Sequence, residues 1–189
     1  VFTKFRLIRY FACSTSIIAM VYRNVYEALH RTIDILKLMI LIDGKKAAAE
    51  LREDLKQEVL ELKEKYNKVP GLTVILIGEL APSKIYVKNK EKSANEVGLK
   101  SEVIRYPDDV EEKTILEKIQ DLNKDETVSG ILVQLPLPKH IDKQKVIEAI
   151  LPSKDVDGFH PMNVGNLSSG YESSVPCTPL GCYLLIKKI

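Results

Sequence analysis

Apolar and polar positions along this chain fall into blocks of two kinds, and the blocks alternate. Residues 72–77, Leu-Thr-Val-Ile-Leu-Ile, are a short apolar run rich in β-branched side chains. That is the pattern of a strand buried on both faces of a parallel sheet. Residues 100–106 alternate loosely and read as a second strand, and residues 129–135 as a third. Pro136-Leu137-Pro138 stops the third, because proline has no N–H to give a ladder. Residues 40–42 read as a further short strand before an Asp43-Gly44 turn or cap. Between these runs the period changes. Residues 45–66 place Ala48, Leu51, Leu55, Val59 and Leu62 at spacings of three and four, the mark of an amphipathic helix. Residues 111–122 do the same with Ile115, Leu116, Ile119 and Leu122 turned inward, and residues 142–151 read as another helix. Alternation of this kind predicts right-handed βαβ units. The expected fold class is α/β, a three-layer βαβ domain with a mostly parallel sheet. Ligands of such sheets bind beyond the carboxyl ends of the strands, which brings residues 78–90 and residues 134–138 together.

One helix carries the main chemical clue. Residues 82–97 open with Pro82, suited to a first helical position, and Gly98 suits a left-handed cap at the end. On a helical wheel Tyr86, Lys90, Ser93 and Val97 share one face, with Ala94 at its border. Lys84, Lys88, Glu91, Lys92 and Asn95 take the other side. Lys90 is then the one charge on the stripe expected to turn inward. A lysine that loses hydration gives up its proton more readily, as acid–base chemistry near neutral pH requires. The plain alternative is a stem laid on the core with its ammonium reaching water, and the wheel alone favours that alternative.

The remaining segments narrow the picture. Residues 154–170 read as a long loop of acidic, aromatic and turn residues, and long loops in compact domains are usually functional or disordered. Residues 175–179 start a last helix, with Thr178 as cap and Pro179 in the first turn, and the chain is expected to stop inside that helix. Residues 1–38 have a different texture: Lys4, Arg6 and Arg9 precede a mostly apolar run too short to span a bilayer. They are expected to lie outside the functional domain, with Met39 the natural start. A net charge of +2 gives no case for nucleic acid or membrane partners. Cys13, Cys177 and Cys182 are an odd count without metal spacing, which favours a reducing compartment. Cys177 is expected to be a small buried hydrophobe rather than a nucleophile. His30, His140 and His160 lie too far apart in sequence to suggest a metal site. No dinucleotide-binding GxGxxG, P-loop, HExxH or GxSxG pattern occurs.

Several segments stand in a familiar order: Ile42-Asp43-Gly44-Lys45, Tyr86-Val87-Lys88-Asn89-Lys90, residues 130–138, residues 154–160 and Pro176-Cys177-Thr178-Pro179. Together they resemble the bifunctional methylenetetrahydrofolate dehydrogenase/methenyltetrahydrofolate cyclohydrolase, or FolD, family over residues 40–189. The resemblance implies two α/β domains with a cleft between them. The first holds the folate site, and the second is a Rossmann domain that binds NADP. Here residues 39–175 correspond to the folate-binding catalytic domain. Residues 176–189 begin the helix leading to the NADP domain, which is expected to be missing from this chain. By residue, the resemblance makes Lys90 the catalytic lysine and Gln134 the amide that holds it. It makes Tyr86 the ring that stacks on the substrate, Asp157 the carboxylate that accepts hydrogen bonds from the pterin, and Val133 and Leu135 flanks of the pocket through backbone contacts. No metal is implied. The implied activity is NADP-dependent oxidation of 5,10-methylenetetrahydrofolate and hydrolysis of the methenyl product to 10-formyltetrahydrofolate, by a homodimer serving purine biosynthesis. Its expected place is the cytoplasm, or the mitochondrion should residues 1–38 be a transit peptide. The alternative is a truncated folate-binding module without dehydrogenase turnover. Each residue also has a plain reading by itself: Tyr86 a core aromatic, Gln134 a strand-end amide, and Asp157 an Asx-turn residue before Gly158.

Overall fold

The middle strand of the sheet, β1 (Gly71–Ile77), carries no charged side chain, and Val74 and Ile75 are wholly buried in it. A computed structural model describes residues 42–188. β2 (Lys100–Tyr106) runs parallel to β1 along one edge, with Gly71 opposite Lys100 and Ile77 opposite Tyr106. β3 (Gly130–Val133) runs parallel along the other, with Leu72 opposite Gly130 and Ile75 opposite Val133. The order is β2-β1-β3. Because side chains alternate across a strand, the sheet has two distinct faces. Ile75, Ile77, Ile131 and Val133 pack against Ile115, Ile119 and Leu122 of α3 (Glu112–Lys124) and Val146 of α4 (Lys143–Ala149). Val74, Leu76 and Leu132 pack on the other side under Val87 of α2 (Ala81–Glu96). Helices therefore cover both faces of a parallel sheet, the expected three layers.

Several expectations need correction. The third strand ends at Val133 rather than residue 135: the Gln134 N–H still bonds the Ile75 carbonyl at 2.9 Å, but Pro136 follows and pairing stops. α1 (Gly44–Tyr66) forms where its period places it, capped by the Asp43 carboxylate on the Lys46 N–H at 3.0 Å. Its apolar stripe is nevertheless mostly in water: Leu51, Leu55 and Leu62 are exposed and only Val59 is buried, beside Gly98 where α2 ends. The loop of residues 154–170 contains a helix, α5 (Pro161–Ser168). The His160 ring accepts from the Met162 N–H at 3.0 Å, and Pro161 follows in the first turn, so the start signals were present in the sequence. The last helix, α6 (Cys177–Lys187), begins after Pro176, which puts Thr178 inside the first turn rather than at the cap. Cys177 is exposed, not buried, with its thiol directed at the Val156 carbonyl. Ile42 precedes α1 outside any strand. The rest of the expected strand at residues 40–42, and the extension of residues 1–38, lie outside the described residues.

Candidate functional site

β1 leads to α2 through Gly78, whose φ of +79° favours glycine. A Cβ there would also sit 2.3 Å from an Asp108 carboxylate oxygen. This turn starts the helix at the carboxyl end of β1, and the helix then runs back over one face of the sheet, with Val87 against Val74, Leu76 and Leu132. Ser83, Val87 and Ala94 are its buried residues. Tyr86, Lys90, Ser93 and Val97, the stripe expected to face the core, instead line a cleft of about 820 Å³. The inward face is thus displaced around the helix, and Val87 is the anchor. A wheel finds the less polar side of a helix, and a cleft wall that stays partly open to water can carry that side as a core does.

The cleft is of the size and mostly apolar character that suit a small organic ligand. Leu72 and Leu132 form part of its floor, and α1 contributes Arg52 and Leu55. Polar groups gather at one place. The Lys90 ammonium donates to the Gln134 side-chain oxygen at 3.2 Å. The Gln134 amide nitrogen donates to the Leu135 carbonyl at 2.8 Å, which aims the oxygen at the lysine. An ammonium has only donors, so it requires that orientation. The backbone of Gln134 is held to β1 through Ile75, so the amide sits on a rigid support. Asp157 lines the same cleft, half-buried. Burial pushes its carboxyl above the ordinary range; the Lys90 charge pulls the other way and the Asp155 charge adds to the rise. Tyr86 stands one helical turn before Lys90 with 61% of its surface exposed, a ring open to a ligand rather than a core aromatic.

Four of the six residues singled out in the sequence, Tyr86, Lys90, Gln134 and Asp157, therefore meet at one cleft. Val133 and Leu135 do not line it with their side chains. Strand alternation turns Val133 into the opposite core, and both residues border a small crevice beneath Asp157 and Phe159. Several contributors were missed. Cys177 and Thr178 bring the start of α6 to the cleft wall. Asp155, rather than Asp157, makes the Asx-type turn: its carboxylate accepts from the Gly158 N–H at 3.1 Å and the His160 N–H at 2.9 Å. A carboxylate three residues before a glycine was the signal available for it. Among the described residues no group of three or more His, Cys, Asp or Glu could hold a metal.

The sequence and fold of the chain are similar to those of known proteins. Residues 42–157 match the family described as tetrahydrofolate dehydrogenase/cyclohydrolase, catalytic domain. The chain is similar to the bifunctional protein FolD of Pelagibacter ubique, 85% identical over 151 residues, covering 80% of this chain and 54% of that protein. It is 54% identical over 147 residues to FolD of Listeria innocua, covering 78% of this chain and 51% of the other. Among solved structures, the FolD methylenetetrahydrofolate dehydrogenase/cyclohydrolase of Campylobacter jejuni superposes with a TM-score of 0.77 at 47% identity, over 79% of this chain and 53% of that one. The Trypanosoma brucei enzyme, solved with NADP cofactor and an inhibitor, superposes with a TM-score of 0.75 at 34% identity, over 78% and 51%. The chain spans about half the length of the curated relatives it matches.

Proposed function

The chain belongs to the tetrahydrofolate dehydrogenase/cyclohydrolase family, and we propose that it is the folate-binding catalytic part of an enzyme of one-carbon metabolism. That enzyme oxidises 5,10-methylenetetrahydrofolate with NADP and hydrolyses the methenyl product to 10-formyltetrahydrofolate. The observation that carries the reading is the Lys90–Gln134 hydrogen bond of 3.2 Å inside a cleft that also holds Tyr86 and Asp157.

The hydrolytic step follows from these side chains. Water adds to the electron-poor methenyl carbon, and one of its protons must leave. The C–N5 bond then breaks and N5 must gain a proton. One water proton ends on N5 and the other goes to solvent. Lys90 serves both transfers, taking a proton as the amine and returning one as the ammonium. Gln134 keeps the nitrogen pointed at the one-carbon bridge. Tyr86 stacks on the flat part of the substrate. Asp157 accepts from the pterin amino and ring N–H groups, a charge-assisted pairing. Val133 and Leu135 support the pocket through their backbone. NADP, which accepts the hydride in the oxidation, does not fit these residues. Gly78-Glu79-Leu80 is no glycine-rich phosphate turn. We place the dinucleotide outside the described residues, with α6 leading toward it. A cytoplasmic homodimer serving purine biosynthesis completes the proposal.

The test is hydrolysis of 5,10-methenyltetrahydrofolate, followed by loss of its near-ultraviolet absorbance, together with binding of the stable 5-formyl derivative. Lys90→Met is expected to lower the rate by about 100-fold or more, the usual weight of a general acid–base, while the circular dichroism spectrum and ligand binding persist. A parent chain that binds but never turns over supports the binding-module alternative. Substantial hydrolysis by Lys90→Met removes Lys90 from its role.

A further inference from the structure

Asp155 is a charged residue almost wholly inside the fold, 4% exposed. An unpaired buried carboxylate is costly, so its partners matter. It has three, all N–H donors. The Gly158 N–H reaches one oxygen at 3.1 Å; the His160 N–H and the Asn163 side-chain amide reach the other, each at 2.9 Å. Asn163 is itself buried, and its amide also bonds the Pro152 carbonyl at 2.9 Å. The Ser173 hydroxyl in turn donates to the Asn163 carbonyl at 3.0 Å. On the other side the Lys154 carbonyl accepts from the Ile131 N–H at 2.8 Å, and Asp155 forms a parallel bridge with Ile131.

The result is a short arch pinned at both feet. One foot is stitched to β3, the strand that delivers Gln134. The other is tied to the Asp155 carboxylate at residues 158 and 160. Asp157 is at the crown of this arch, on the cleft wall. Gly158 turns the chain away with a φ of +67°, and a Cβ there would lie 2.8 Å from the Ser174 carbonyl oxygen. We propose that Asp155, braced by Asn163, is the positioning residue that holds Asp157 in the cleft wall opposite Lys90. The inference rests on the folate-site reading above and adds a residue that acts through another.

Asparagine cannot replace Asp155 fully. It offers one acceptor oxygen where three donors converge on two. Asp155→Asn also removes a negative charge beside Asp157, so it changes place and field together. Asn163→Ala separates the two. It leaves the Asp155 charge and removes one tether, so any change at Asp157 comes from the loosened arch. The charged groups that face Asp157 are Lys90 from α2 and Asp155 from its own loop, and both remain in this variant. Arg52 from α1, Tyr86 and Cys177, the other charged or ionisable groups on the wall, are also unchanged.

The experiment is a carboxyl carbon-13 NMR titration of aspartate-labelled protein, with the Asp157 resonance assigned by its loss in Asp157→Asn. In parallel, binding of 5-formyltetrahydrofolate is measured by calorimetry. In Asn163→Ala the Asp157 carboxyl is expected to titrate at lower pH than in the parent, because the loosened arch lets water reach it. Binding is expected to weaken about tenfold or more, as misplaced site groups do. Asp155→Asn is expected to do both more strongly; should it fail to fold, Asn163→Ala decides. An Asp157 titration unmoved in folded Asn163→Ala overturns the proposal. A parent chain that binds no folate overturns the functional reading instead, and the titration still decides what Asp155 does.

Discussion

Two neighbouring side chains on α2 offer a sharp test of which face holds the helix to the sheet. Val87 is 0% exposed among Val74, Leu76 and Leu132, whereas Ile85, the larger residue, is 60% exposed. Val87→Ala removes two methyl carbons from a dry site, about 1.6 kcal/mol at roughly 0.8 kcal/mol per carbon. Incomplete collapse of the site adds about 1 kcal/mol for the cavity. Alanine's better helix propensity returns about 0.5 kcal/mol. The net destabilisation is about 2 kcal/mol. With a urea slope of about 2 kcal/mol per molar, the unfolding midpoint should fall by about 1 M. Ile85→Ala removes three carbons, but less than half of the side chain is shielded, so the same arithmetic gives about 1 kcal/mol. The propensity gain halves that to about 0.5 kcal/mol. Urea unfolding followed by helical circular dichroism measures both. Equal midpoint shifts, or a larger one for Ile85→Ala, would refute the orientation given to α2 and with it the delivery of Lys90 to the cleft.

Two further outcomes follow from the site. The Asp157 carboxyl is raised by burial, so the fold holds its proton to higher pH than the unfolded chain does. Its favourable contribution is then present below the ordinary carboxylate range and lost as pH rises through the raised value. Asp157→Asn should therefore gain thermal stability relative to the parent between acid and neutral pH while losing folate binding; melting curves in which the parent gains instead would contradict the burial argument. Gly158→Ala forces a side chain into a left-handed backbone and within 2.8 Å of the Ser174 carbonyl oxygen and 3.0 Å of the Pro176 nitrogen. A loss of about 1–3 kcal/mol in denaturant unfolding is expected, and an unchanged midpoint would show that the arch yields without strain.

Period and punctuation in the sequence determined much. The three strands, the cover of helices on both faces and the start of α1 at Asp43 could all be read from spacing and caps, because these features are local. The short motifs also marked Lys90, Gln134, Tyr86 and Asp157 before any geometry was in hand. What spacing could not settle was what each apolar stripe meets. The stripe of α1 has a helical period yet buries only Val59. The stripe of α2 with Lys90 faces a cleft, and Val87 rather than Tyr86 enters the core. Periodicity records that one side of an element avoids water, and a core, a ligand cleft and an uncovered surface can leave the same trace. Asp155 shows the converse: its role depends on donors at residues 158, 160 and 163 that converge only after the loop folds back on β3. Local spacing fixes which elements form, whereas only tertiary packing decides what they touch, since contact partners come from distant parts of the chain.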